Sequence, residues 1–415
     1  AGDTPPANAA EAEQNLTLYG LVGLHDPPRT DVAAALAACR TAGVRVAMIT
    51  GDHPVTASAI ALQVGLRRED DPVVLGADLP HDDAALGALL DHDGIVVARV
   101  SPEDKLRIAH ALRGRGHVVA MTGDGVNDGP ALREADIGIA MGRSGTDVAR
   151  EACDLVLLDD HFASVVAGIE QGRATYVNVR RFLTYHLTDN VAELAPFLVW
   201  GLSGGRFPLA LGVLQILALD IGTDTLSAVA LGAEPPAAHV LERPPISGRL
   251  LDRWVLRRAF GLLGPVEAVM GLSAFVATFV AAGWRPGEEF PTGPTLAAAS
   301  GATFLTVVLA QAANAFACRS STRTPASLGW FTNRLLPASV AAALAFCLLV
   351  LLVPPIADTL GQRWPTPVGV LFALASIGVL LGVDALDKRR RRRPVAAGLA
   401  APTRATGSPT TPEGG

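Results

Sequence analysis

At 415 residues the chain can hold more than one domain, and its formal net charge of −6 excludes little, since it pools an acidic soluble part with a basic membrane part. Half of its residues are hydrophobic and 18% are charged, which excludes an extended disordered polymer. The cysteines, Cys39, Cys153, Cys318 and Cys347, lack CxxC spacing, which excludes a disulfide scaffold and argues against a zinc site.

In chain order, residues 1–12 are rich in Ala and Pro and read as disordered or as the remnant of a preceding domain. Residues 13–180 are mixed polar and apolar, as in a soluble α/β domain. Short β-branched runs, 44–49, 94–100, 117–121, 136–141 and 154–158, alternate with amphipathic helical patterns, which predicts βαβ units and a parallel sheet. Residues 160–182 predict one continuous helix leading out of this domain.

Residues 181–386 hold six stretches long enough to cross a bilayer core, near 182–203, 208–232, 259–283, 297–317, 335–353 and 367–385. Arginines cluster in alternate connections, at Arg243, Arg249, Arg253, Arg257 and Arg258 and again at Arg319, Arg323 and Arg334. The run Lys388 to Arg393 follows the last span. By the positive-inside tendency these connections, the N-terminal domain and the tail, residues 387–415, are cytoplasmic, giving a multi-pass cell-membrane protein. The basic run reads as a contact for anionic lipid or as a stop-transfer signal. Lys occurs only at 105 and 388 while Arg is abundant, a codon-usage bias and not a nucleic-acid patch.

Polar clusters follow three of the predicted strands: "TGD" at Thr50, Gly51 and Asp52, "SPEDK" ending at Lys105, and "TGDGVND" from Thr122 through Asp124 and Asn127 to Asp128. In open parallel sheets ligands bind outside the carboxyl ends of the strands. A Thr hydroxyl and Gly-flanked amides hold phosphate oxygens, a Lys neutralises them, and Asp oxygens suit Mg²⁺. Singly each is a turn or a solvated charge; together, in this order, they describe a phosphoryl-transfer site.

The runs "GLHDPPR", "TGD", "SPEDK", "MTGDGVNDGPAL" and "ADIGIAMGRSGTDVAREACDLVLLDD" closely resemble the phosphorylation domain of P-type cation-transporting ATPases, within the haloacid-dehalogenase-like superfamily. The resemblance extends from about Leu16 to Asp384. It implies a partial haloacid-dehalogenase-like (Rossmannoid) α/β domain followed by an all-α bundle of six transmembrane helices, with ATP and Mg²⁺ as cofactors. It also implies that Thr50, Gly51, Asp52 and Lys105 serve the phosphoryl group, that Asp124 binds Mg²⁺, that Asn127 and Asp128 complete the site, and that Asp26 and Arg29 belong to the hinge to a nucleotide-binding domain. The family's DKTGT nucleophile motif, its actuator TGE motif and its first four membrane helices have no counterpart in these 415 residues. The expected partner is therefore an N-terminal half supplying them, and the chain alone is expected to be inactive.

The first two spans carry polar groups in register. Asn190 and Glu193 are at i, i+3, and Asp220, Thr223 and Asp224 at i, i+3, i+4, so each set shares one helix face. A carboxylate at the centre of a span costs about 2.5–3.5 kcal/mol, and three or four together on the order of 10 kcal/mol, with only His186 nearby to offset it. A bound cation or protonation compensates; Asp189 also has a purely structural reading. The resemblance matches Asn190, Glu193, Thr223 and Asp224 to the cation-site positions of calcium and sodium/potassium pumps and adds Gln311. Asp220 and Gln311 depart from the calcium-pump pattern, Asp220 resembling the sodium/potassium-pump one, while Asn314 stands where sodium/potassium pumps have Asp; these departures put two-calcium stoichiometry in doubt. Gly222 is expected to help the second span unwind.

The leading expectation is the C-terminal half of an ATP-driven pump for a cation such as Ca²⁺ or Na⁺/K⁺, working through an aspartyl phosphate. The alternative is a truncated, non-catalytic membrane protein that binds cations or regulates a full-length pump. A free-standing phosphatase is disfavoured, because it too needs the nucleophile and has no use for buried acids in membrane spans.

Overall fold

The computed structural model describes residues 27–238, 240–242 and 248–398, together with positions 8, 9, 13, 16, 19, 20, 22 and 23. It divides into two compact units, Ala1–Ala167 and Gly168–Gly415.

The first unit is α/β. Its elements are α1 (Val32–Thr41), β1 (Met48–Ile49), α2 (Pro54–Gln63), β2 (Val73–Leu75), α3 (Asp83–Leu90), β3 (Val96–Ala98), α4 (Pro102–Gly114), β4 (Ala120–Gly123), α5 (Gly129–Glu134), β5 (Ile137–Met141), α6 (Asp147–Ala152) and β6 (Leu155–Leu157). The strands form two parallel three-stranded sheets, ordered β1-β3-β2 and β4-β5-β6. All five predicted strands are present, in shortened or shifted form. The strand missed by the sequence reading, β2, is only three residues long and follows the charged run Arg67–Asp71, so it shows no alternation.

The fully buried β3 is sandwiched between two helix layers. Leu86, Leu90, Ile95, Val97 and Ile108 pack on one side of it, and Leu36, Ala57, Ala61, Val96 and Ala98 on the other. A strand covered on both faces reads as a continuous apolar run, which is why "IVVA" stands out in the sequence.

The second unit is helical. It contains α7 (Ala163–Leu202), α8 (Val213–Gly232), α9 (Arg253–Ala281), α10 (Pro294–Cys318), α11 (Leu335–Leu352) and α12 (Pro367–Gly398). Five of them, α8 to α12, are long and apolar enough to cross a membrane. Five of the six predicted stretches meet this measure of length and composition, and the sixth, 182–203, lies within α7. The stretch 182–203 falls short because His186, Asp189, Asn190 and Glu193 interrupt its apolar run.

The predicted helix from Asp160 begins at Ala163 instead. Asp160 takes a left-handed backbone, φ 57°, and its carboxylate accepts from the Arg143 and Ser144 amides at 2.9 and 2.8 Å. Asp159 accepts from the His161 amide at 3.0 Å and the Ser164 hydroxyl at 2.7 Å, closing the first turn.

The tail expected from residue 387 also needs correction, since α12 runs on to Gly398. Lys388 and Asp384 pair at 2.6 Å and Arg391 and Asp387 at 3.0 Å, both one turn apart, which extends the helix past the apolar segment. Lys388 is buried, donating also to the Ala317 carbonyl at 2.8 Å, so it is not free for lipid. Arg258 of α9 pairs with the same Asp384. Residues 399–415 lie outside the described residues.

Candidate functional sites

In the α/β unit the loops after β1, β3 and β4 carry the three polar clusters. The Thr50 amide donates to the Val97 carbonyl at 2.9 Å, and the Thr50 hydroxyl accepts from the Asp52 amide at 3.1 Å, so Thr50, Gly51 and Asp52 form a tight turn at the sheet's end. Ser101 caps α4 with a reciprocal Ser101–Asp104 capping box, which fixes the first turn bearing Lys105.

Lys105 reaches across from the first sheet to the second: its Nζ lies 2.6 Å from Asp128 Oδ1. Asp128 Oδ2 accepts from the Asp124 and Gly125 amides at 3.3 and 3.1 Å, so one buried carboxylate ties the lysine to the backbone of the "TGDG" turn. Gly123 is required here, because an added Cβ would sit 2.5 Å from Asp128 Cβ. Asp124 and Asn127 are exposed.

The structure therefore joins Lys105, Asp124 and Asp128 through direct bonds and leaves Thr50, Gly51, Asp52 and Asn127 as neighbouring loop residues without a side-chain bond to that group. Arg29 is exposed, and Asp26 lies outside the described residues. An exposed carboxylate beside a lysine-held loop fits Mg²⁺, which keeps several waters and takes one or two protein oxygens.

The sheet edges are informative. Among the described residues β1 pairs only with β3 and β4 only with β5, so the two strands that lead into "TGD" and "TGDG" each keep one open edge. Open edges of this kind accept another strand.

In the helical unit a second cluster is assembled. Ligand atoms of Glu193, Asp220 and Asp224 all lie within 4.8 Å of one another, with Glu193 and Asp224 buried. Gln311 of α10 donates through Nε2 to Glu193 Oε1 at 2.9 Å and accepts through Oε1 from the Thr223 hydroxyl at 3.2 Å. The Tyr185 hydroxyl donates to Asp224 Oδ1 at 3.1 Å, while Asp224 Oδ2 has no hydrogen-bond partner and sits 3.8 Å from His186 Nδ1. Asn190 is half-buried, and no hydrogen bond ties its side chain to this set.

Local backbone geometry displays these groups. Residues Asp220–Asp224 form a π-helical turn inside α8, whose wider winding brings the polar side chains round to one face. Gly222 lies within this wider turn, and the helix continues through it. Its absent Cβ makes room for Phe346 of α11, whose ring carbon would lie 2.1 Å from an added Cβ. Pro196 within α7 removes the N–H that would bond the Ala192 carbonyl, leaving that oxygen beside Glu193.

The sequence reading missed Glu267 of α9, which is fully buried with neither carboxylate oxygen hydrogen-bonded. A lone acid in "LLGPVEAVMGL" was the available signal. It also missed Tyr185, which lies one helical turn before Asp189 in "TYHLTDN".

The chain thus joins a parallel α/β unit with a lysine–aspartate-held loop to a bundle of apolar helices with a carboxylate cluster. The comparisons agree. Residues 2–136 match the family model described as haloacid dehalogenase-like hydrolase, and residues 208–390 match cation transporting ATPase, C-terminus. Over 392 residues the chain is 40% identical to "Probable cation-transporting ATPase F" of Mycobacterium tuberculosis (strain ATCC 25618 / H37Rv), covering 92% of this chain and 41% of that protein. It is 40% identical over 362 residues to a calcium-transporting ATPase of Bacillus subtilis (strain 168), covering 86% of this chain and 38% of the relative. It is 39% identical over 305 residues to a sodium/potassium-transporting ATPase subunit alpha of Drosophila melanogaster, covering 66% and 29%. The chain belongs to the P-type cation-transporting ATPase family and is a multi-pass membrane protein. It spans about two fifths of the length of the curated relatives it matches.

Proposed function

We propose that this chain is the C-terminal part of an ATP-driven cation pump, with the α/β unit, the alternate loops and the tail on the cytoplasmic side and 182–203 as a sixth span. The observation that carries the reading is the cluster of Glu193, Asp220 and Asp224, held within 4.8 Å by three side chains on two helices with Asp224 Oδ2 unpartnered. Buried carboxylates packed together repel one another unless a cation or bound protons neutralise them. Thr223 and Gln311 supply neutral oxygens to such an ion, and Asp220, the most accessible acid, faces its entry.

In the α/β unit, Lys105 neutralises a phosphoryl group, the Thr50 hydroxyl and the Gly51 amide bind its oxygens, and Asp52, Asn127 and Asp128 hold the loops in register. Asp124 is the residue that would hold Mg²⁺, and the ion supplies neutralisation of the phosphate charge. The phosphoryl acceptor is an aspartate outside these 415 residues, on a preceding segment or another chain. The open edges of β1 and β4 support this, since a strand entering between them would end beside Thr50 and Asp124. Helix α7, uninterrupted from Ala163 to Glu193, is the route assigned to coupling.

Reconstitution with and without an N-terminal partner bearing DKTGT tests the reading, with Ca²⁺, Na⁺, K⁺ and Mn²⁺ screened for stimulated ATP hydrolysis. Ion-dependent hydrolysis only in the assembled protein is expected. Hydrolysis by the isolated chain would contradict it.

A further inference from the structure

Glu267 has no part in the cluster just described, and its surroundings are chemically incomplete. It is 0% exposed, in the middle of α9, and neither oxygen receives a hydrogen bond. Its carboxyl faces that of Asp189 on α7, which is also 0% exposed. Asp189 Oδ1 accepts from Asn314 Nδ2 at 2.9 Å, but Oδ2 has no partner. Two ionised carboxylates are acceptors only and cannot satisfy each other. Among the described residues no Lys, Arg or His forms an ion pair with either.

The approach of the two helices is built in. A π-helical turn at Ala259–Leu263 precedes Gly264, and a Cβ added at Gly264 would lie 2.7 Å from Val191 Cβ. Gly264 thus lets α9 close on α7 two residues from Asp189, and Glu267 follows three residues later, on the same helix face. Besides Asp189, the charged group nearest in influence to Glu267 is Asp224, so the pair lies beside the first cluster without sharing its ligands.

We propose that Asp189 and Glu267 form a second cation subsite that takes a hard divalent cation through carboxylate oxygens from α7 and α9. The inference rests on the reading of this bundle as a cation carrier and adds to it a ligand-bearing helix and a second ion. Three oxygens, Asp189 Oδ2 and both of Glu267, have no hydrogen-bond partner, and two negative charges match one divalent ion. The amide donors Gln311 and Asn314 on α10 orient one carboxylate in each subsite, the former on Glu193 and the latter on Asp189, without neutralising either.

The test counts Ca²⁺ bound to the full chain in lipid nanodiscs by equilibrium dialysis, with Mn²⁺ resonance as a second readout. The unaltered chain is expected to bind two ions, Glu267→Gln and Asp189→Asn one each, and Glu267→Asp two with weaker affinity. Glu193→Gln combined with Asp224→Asn is expected to keep the ion at Asp189 and Glu267. Should Glu267→Gln bind as many ions as the unaltered chain, or Glu267 show the infrared band of a neutral carboxylic acid at saturating Ca²⁺, the subsite is refuted while the first cluster stands. A loss confined to Glu267→Gln, with the Glu193/Asp224 variant unaffected, would support the subsite and refute the first cluster. Glu267→Asp and Asp189→Asn carry the count if Glu267→Gln does not fold.

Discussion

The two candidate sites are built on opposite plans. In the α/β unit, exposed Asp124, Asn127 and Asp52 sit on loops whose shape comes from backbone hydrogen bonds, and one buried carboxylate, Asp128, anchors them. In the helical unit the acids other than Asp220 are buried, and their placement comes from side chains on neighbouring helices and a π-turn. An exposed loop costs little to leave without a ligand, whereas buried acids packed together need a cation or protons to offset their charge. Under the proposed function, the first plan suits a solvent-facing chemical centre and the second a cation pocket.

The largest expected effect falls on the pocket. Glu193→Gln with Asp224→Asn weakens binding of the ion at the Glu193, Asp220 and Asp224 cluster by more than about 100-fold, since loss of about 3 kcal/mol of buried charge interaction corresponds to that factor. Isothermal titration of the chain in nanodiscs reads it directly. An unchanged affinity would make the two sites alike in being only structural.

Gly222→Ala comes next. The new methyl collides with Phe346, and overpacking of this kind costs roughly 1–3 kcal/mol and tilts the π-turn. Thermal unfolding should shift downward, and Phe346→Ala in the same chain should restore much of the loss. A double variant no better than the single one would locate the constraint elsewhere.

On the loop side, Asp128→Ala removes the anchor from Lys105 and from the Asp124 and Gly125 amides at once. A loss of about 1–3 kcal/mol is expected for leaving those donors unpaired. Hydrogen exchange at the Asp124 and Gly125 amides should accelerate, while the helical unit stays protected.

The smallest effect is at Asp160, whose carboxyl is pulled from 3.8 down to about 2 by the Arg143 amide first and then by Ser144. Because the folded group ionises below its unfolded counterpart, its stabilisation is complete above pH 3.8 and is lost as pH falls through about 2. Asp160→Asn should flatten the acid limb of α/β-unit unfolding in that window and leave the neutral region nearly unchanged.

Much of this was legible in sequence because two periodicities are clean. The β-branched runs ending in "TGD" and "TGDGVND" locate strand ends, and acids at i, i+3 and i+4 in apolar helices locate the pocket. Side-chain pairing across helices was not legible. Nothing in spacing tells that Lys105 meets Asp128, that Gln311 bridges Glu193 and Thr223, or that Glu267 faces Asp189, since each depends on how separate elements pack. Lys388 misled for the same reason: a basic run suggests lipid, but its first member folds back onto Asp384.

The most direct test of the account is ATP-driven cation uptake into vesicles by the assembled pump, comparing the unaltered chain with Glu193→Gln/Asp224→Asn. The account predicts that uptake is abolished while the protein still folds and reaches the membrane. Uptake at the unaltered rate in that variant would contradict it.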